Sequence, residues 1–214
     1  MATLANAATG AASGATSEHK SAAVLIIACG ALAREITAIT AANGLDHITL
    51  TCLPAILHNR PEKIPDAVRQ AIREGRKRGF ERIAIAYADC GTGGYLDRVC
   101  EEENVTRIAG PHCYAFFSGT DDFLARDDAD MDAFFLTDFL AKQFEAFVIE
   151  PLGLDRHPEL RDAYFGNYKR LVYLVQVEDA ALEEKARAAA ERLGLAFEKR
   201  LTGYGDLAGF VRGV

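Results

Sequence analysis

AVLIIACGALAREI (23–36) and ERIAIAYADCGTGGYLD (81–97) share one grammar: an apolar run, a cysteine, a glycine, then a segment of helical period. A short unbroken apolar run rich in branched residues reads as a strand buried on both faces, the mark of a parallel sheet. After Cys29-Gly30, the segment ALAREITAITAAN sets Leu32, Ile36, Ile39 and Thr40 near one helical face, and Asn43-Gly44 closes it. The same strand–cysteine–helix unit recurs at 24–43 and 83–103.

The pattern extends outward from these two passages. HITLTCL (47–53) reads as a second strand, followed by the loop PAILHNRPEKIP and a polar helix DAVRQAIREGRKRG (66–79) that stops at Gly79. VTRIAG (105–110) reads as a short strand, and PHCYAFFSG opens an aromatic, acidic region. FFLTDFLAKQFEAFVIEPLGL (134–154) reads as one substantial helix ending near Pro151. LVYLVQV (171–177) is a strand, EDAALEEKARAAAERLG an amphipathic helix capped by Gly194, LAFEKRL (195–201) a last strand, and YGDLAGFVRGV a short tail. The alternation predicts an α/β fold: a three-layer, mainly parallel, Rossmann-like sheet with right-handed crossovers. A helical cap segment is expected around 111–165.

Composition narrows the function classes. A chain of 214 residues can bury one good core, so residues 21–214 are expected to form a single α/β domain. The first twenty or so residues are small and polar, which predicts a disordered tail over 1–20. They lack the basic start and apolar block of a secretory signal, and no apolar run is long enough to span a bilayer. The net charge of −7 argues against a nucleic-acid footprint. The five cysteines, an odd number without a C-x-x-C pair, fit free thiols or metal ligands better than a disulfide framework, and a cytoplasmic setting.

Three of the cysteines stand just past strand-like runs: Cys29 after VLIIA, Cys90 after RIAIAYAD, Cys113 after TRIAGPH. Ligands of open α/β sheets bind at the carboxyl ends of the strands. Thiolates there are soft ligands for zinc or an iron–sulfur cluster, and three of them leave one coordination position for water or substrate. The bland alternative is that each is a small, buried, inert residue. Cys52, within a strand, and Cys100, within a helix, are expected to be structural.

Other residues gather around these three. His112 adjoins Cys113 and suits a fourth ligand or a general acid–base; His58 stands in a loop on the same side. Asp89 and Glu35 are further acid–base candidates. Gly91-Thr92-Gly93-Gly94 opens a helix, where backbone N–H groups can receive an anionic substrate. Arg34 can bind a carboxylate through its planar fork, and Tyr114 can wall the pocket. Each also has an ordinary reading as turn, surface or core.

CGALAREI (29–36), LHNRPEKIP (57–65), YADCGTGGYLD (87–97), RIAGPHCYAFFSG (107–119) and FFLTDFLAKQFEAF (134–147) together resemble the uncharacterised bacterial and archaeal family called domain of unknown function 1638. Genes of that family often lie near corrinoid-dependent methyltransferase systems. The resemblance therefore implies a setting in one-carbon or methyl-group metabolism, with a corrinoid or methyltransferase protein as a partner. Ala88 and Ala115 depart from the family's Gly and Glu, so any role of the acidic residue after His-Cys-Tyr is missing at 115.

The expected function is a metal-dependent enzyme, a transferase or lyase, acting on a small anionic metabolite. The alternative is a non-catalytic binding or accessory protein for a metal, a corrinoid or a metabolite. A closed four-ligand site favours the second; an open position favours the first.

Overall fold

The computed structural model describes residues 23–214, with the side chain of Asp127 left aside. The tail expected over 1–20 lies outside them. The fold is α/β, built from parallel strands that alternate with helices. It has two parallel sheets where the sequence pattern predicts one.

The first sheet holds β1 (Val24–Cys29), β2 (Ile48–Leu53), β3 (Arg82–Ala86) and β4 (Thr106–Arg107) in the order β2-β1-β3-β4. Register pairs Cys29 with Leu53 and Ala28 with Ala86, so the carboxyl ends of the three longer strands align at one edge. The period-two alternation of β1 feeds both faces. Leu25 and Ile27 join a cluster with Val68 and Ile72 of α2 (Ile64–Lys77) and Leu96 and Val99 of α3 (Tyr95–Glu102). Ile26 and Ala28 join a second cluster with Ile36 and Ile39 of α1 (Ala33–Ala42).

The second sheet holds β5 (Ala133–Thr137), β6 (Arg170–Val175) and β7 (Ala196–Leu201), in that order. The helix predicted over 134–154 is thus a correction: AFFLT is a strand, and only from Asp138 does the chain turn helical. Alternation decides it. Leu136 packs on one face of the sheet, while Ala133 and Phe135 pack on the other. Nothing in the run breaks its apolar periodicity, which is why it reads as continuous helix in sequence. Helix α7 (Asp138–Lys142) follows, then a π-helical turn (Glu145–Ile149) and α8 (Arg161–Phe165). Helix α9 (Ala180–Leu193) covers one face; Asp179 caps its start by accepting from Ala181 N and Leu182 N, and Gly194 ends it.

The predicted cap over 111–165 is only partly helical, and it does not sit on an outer edge. Helices α4 (Cys113–Ser118), α5 (Thr120–Ala125) and α6 (Asp127–Asp130) begin it. Phe116 and Phe117 of α4 pack into the first sheet's core, while Tyr114 and Phe123 pack against the second sheet. Helices α4 and α5 form a wedge between the two sheets. The predicted tail is also helical: α10 (Gly205–Gly213) places Leu207 and Val211 in the first sheet's core. Its glycines weaken the helical signal, and packing of one face outweighs them. Among the described residues no helix is long and apolar enough to cross a membrane.

Candidate functional site

Cys29, Cys90 and Cys113 come from three different strand ends, and all three pack against the same core cluster. Cys29 closes β1. Gly30 follows it because the backbone after β2 passes close by: a Cβ at 30 would meet the Leu53 carbonyl oxygen at 2.9 Å and the Ala55 nitrogen at 3.2 Å. Cys90 sits in the left-handed region, with φ of 50°, and its N–H donates to the Pro111 carbonyl at 2.7 Å. That bond draws the loop after β4 alongside the loop after β3. Cys113 is the first residue of α4, and its thiol faces the N–H groups of Cys113 and Tyr114.

Cys29 acts on Cys90, and both act on Cys113. Burial raises the pKa of Cys29, partly offset by the Ala31 N–H and the nearby Tyr87 hydroxyl. Burial and then the charge of Cys29 push Cys90 up to about 12. Burial, then Cys90 and Cys29, push Cys113 well up. A buried thiolate lacks solvent, and each neighbour of like charge makes it worse. At neutral pH this is a pocket of protonated thiols. Among the described residues no three His, Cys, Asp or Glu side chains stand in metal-holding geometry. A cluster of partly buried thiols is therefore present, whereas a finished coordination shell is not.

Three buried polar atoms, among the described residues, find no hydrogen-bond partner: Glu35 Oε2, Tyr87 OH and His112 Nδ1. Such orphans are rare in folded proteins. All three lie where the first sheet's strands end: Tyr87 just past β3, Glu35 in the first turn of α1, His112 just before Cys113. The Tyr87 hydroxyl lies close enough to Cys29 to affect its titration, yet makes no hydrogen bond of good geometry. The imidazole of His112 packs between Tyr114 and Phe123, with ring centroids 5.1 and 5.0 Å away. Burial and the charge of His58 lower its pKa, so it is neutral at pH 7. His58 is exposed, though enough protein surrounds it to lower its own pKa.

The glycine turn differs from expectation. The φ angles of Gly91, Gly93 and Gly94 are 81°, 63° and 82°, a conformation that glycine adopts without penalty. Its amides, however, already hold an anion. Gly94 N donates to Asp89 Oδ1 at 2.9 Å, Gly93 N to Oδ2 at 3.2 Å, and the Thr92 hydroxyl to Oδ1 at 2.7 Å. Against its burial, these donors and Arg107 lower the pKa of Asp89. Asp89 therefore serves as the turn's internal anion rather than a free base. The groove beside it, about 480 Å³, is lined by Gly91, Thr92, Pro61, Tyr95 and the acidic Glu62 and Asp66, a poor lining for an anionic substrate.

Arg34 is exposed at the start of α1, and Tyr114 stacks on Phe135 of the second sheet at 5.5 Å. Cys100 is buried in α3, as expected; Cys52 is exposed on the edge strand β2. Sequence reading missed Asp138 and Tyr87. Asp138 was hidden inside an apparent helix; the signal was Thr137-Asp138 directly after an aromatic strand-like run. Tyr87 reads as ordinary strand, and only its lack of a partner distinguishes it.

No curated protein and no solved structure gives a significant match to the chain. The model of one family, described as a protein of unknown function, matches residues 52–211, a span that holds Cys90, His112, Cys113 and Asp138 but neither Cys29 nor Glu35. The chain belongs to that family, DUF1638.

Proposed function

We propose that the protein is a metal-dependent enzyme in which Cys29, Cys90 and Cys113 take up zinc or an iron–sulfur cluster and a small anionic metabolite is the substrate. One observation carries the reading: three thiols from three separate strand ends pack against one core cluster, with Cys29 raising the pKa of Cys90 and both raising that of Cys113. A cation supplies what such a pocket lacks, because it replaces the thiol protons and removes the mutual repulsion. Zinc or a three-cysteine cluster would bring a Lewis-acidic position open to substrate. The Tyr87 hydroxyl would then gain a partner, and Arg34 supplies an exposed cation for the metabolite's negative charge.

The family resemblance alone supplies the rest of the proposal: methyl-group or one-carbon chemistry, a corrinoid or methyltransferase partner, and a cytoplasmic setting. Protein purified without air is expected to carry metal near one equivalent of zinc or one cluster. Cys29→Ser, Cys90→Ser and Cys113→Ser should each lose it. Elemental analysis that finds no metal in the anaerobic protein sinks the reading.

His112 favours a second reading, a non-catalytic carrier of a metal, corrinoid or metabolite. Its buried Nδ1 without a partner, next to Cys113, offers a fourth ligand and thus a closed site. Loss of metal in His112→Ala supports the carrier; retention, with exchangeable water on the metal, supports the enzyme.

A further inference from the structure

Tyr87 carries a hydroxyl into the thiol cluster and leaves it without a partner. It is the first residue past β3 and is only 2% exposed. Strand register sets its neighbour. Leu25 pairs with Ile83, Ile27 with Ile85 and Ala28 with Ala86, so the next residues along the two strands are Cys29 and Tyr87. Side chains at matched positions of neighbouring strands point to the same face. The packing agrees: Leu25, Ile27, Ile83, Ile85 and Tyr87 belong to one cluster, and Cys29 and Cys90 pack against it. The Tyr87 hydroxyl is thereby a hydrogen-bonding neighbour of the Cys29 thiol, short of a well-formed bond. Among the described residues it meets no other partner. A buried hydroxyl without a partner costs stability, and phenylalanine would fill the same space without that cost.

We propose that Tyr87 is a positioning residue, whose hydroxyl donates a hydrogen bond to the sulfur of Cys29 when that sulfur holds a metal ion. This rests on the thiol-bound metal proposed above. A neutral thiol is a weak acceptor, whereas a metal-bound thiolate carries negative charge and accepts strongly. On binding, the cation replaces the Cys29 thiol proton, which leaves to solvent. The phenol keeps its own proton at pH 7, since the ordinary phenol pKa is about 10. The hydroxyl then gains a charged partner. Donors to a ligating group fix its orientation and tune the metal it holds. Cys90 stands beyond β3 in a left-handed turn and Cys113 on α4, so the strand pairing gives this bond to Cys29.

Tyr87→Phe removes the hydroxyl and keeps the ring. Full-length, metal-free protein is titrated with zinc against a chelator, and with cobalt(II) as a spectroscopic probe. Tyr87→Phe is expected to bind zinc about tenfold more weakly than the native protein. Its sulfur-to-cobalt charge-transfer band should move to lower energy, because the thiolate loses a donor; a merely structural role would leave the band in place. Without metal, the urea midpoint of the variant should be no lower than that of the native protein, since only a partnerless hydroxyl is lost. An unmoved cobalt band overturns the proposal and leaves the thiol reading standing. A metal-free variant less stable than the native protein also overturns it, because the hydroxyl would then already have a partner. Native protein that binds neither zinc nor cobalt ends both readings.

Discussion

Cys90 is the residue where backbone and side chain conflict. A non-glycine residue with φ of 50° costs about 1 kcal/mol relative to glycine. If the thiol only filled space, glycine would serve better there. Cys90→Gly is therefore expected to be more stable than Cys90→Ala by about 1 kcal/mol in urea titration, while both lose the metal. Equal stability of the two would show that the left-handed backbone imposes no penalty. The three thiols were legible in sequence because strand ends can be located from apolar runs. The partnerless Tyr87 was not, since hydrogen-bond satisfaction leaves no local pattern.

At the scale of elements, the turn from β3 into α3 depends on Asp89. It gathers two amides and a hydroxyl, so Asp89→Ala should destabilise the protein by about 1–3 kcal/mol. The pKa of Asp89 is depressed, so its contribution is present above the ordinary carboxylate value and disappears as pH falls through its folded pKa. The gap between native and variant midpoints should close on acidification. Six strands and the long helices α2 and α9 were legible from their periodicity and stop signals. β5 was not: its apolar run continues into DFLAKQF without a glycine or proline, and only pairing with β6 fixes it as strand. α10 was missed for the opposite reason, as its glycines conceal a face that packing alone stabilises.

The whole molecule is two parallel sheets joined by a wedge. Polar ties reinforce the joint: Asn59 Nδ2 donates to the Phe147 carbonyl at 3.3 Å, and Thr120 N donates to Asp206 at 2.8 Å. That the strands would split into two sheets was not legible, because a parallel strand reads the same whichever neighbour it takes. A metal that binds only the folded thiol pocket must stabilise the entire molecule. Zinc at about 100 times its dissociation constant is expected to add about 2.7 kcal/mol, seen as a rise in the melting temperature of metal-free protein. The Cys29→Ser, Cys90→Ser, Cys113→Ser triple variant should show no rise.

Helix α10 has a consequence for how the chain is made. Leu207 and Val211 cover one face of the first sheet, whose central strand starts at Val24. On the ribosome that face, covered in part by α1 and α4, is not completed until residue 211 has left the exit tunnel, after the complete second sheet has emerged. The half of the molecule synthesised first is thus finished last. A nascent chain stalled before α10 exposes the apolar side of β1 to chaperones, and a nonsense codon near residue 204 damages the sheet built from residues 24–107.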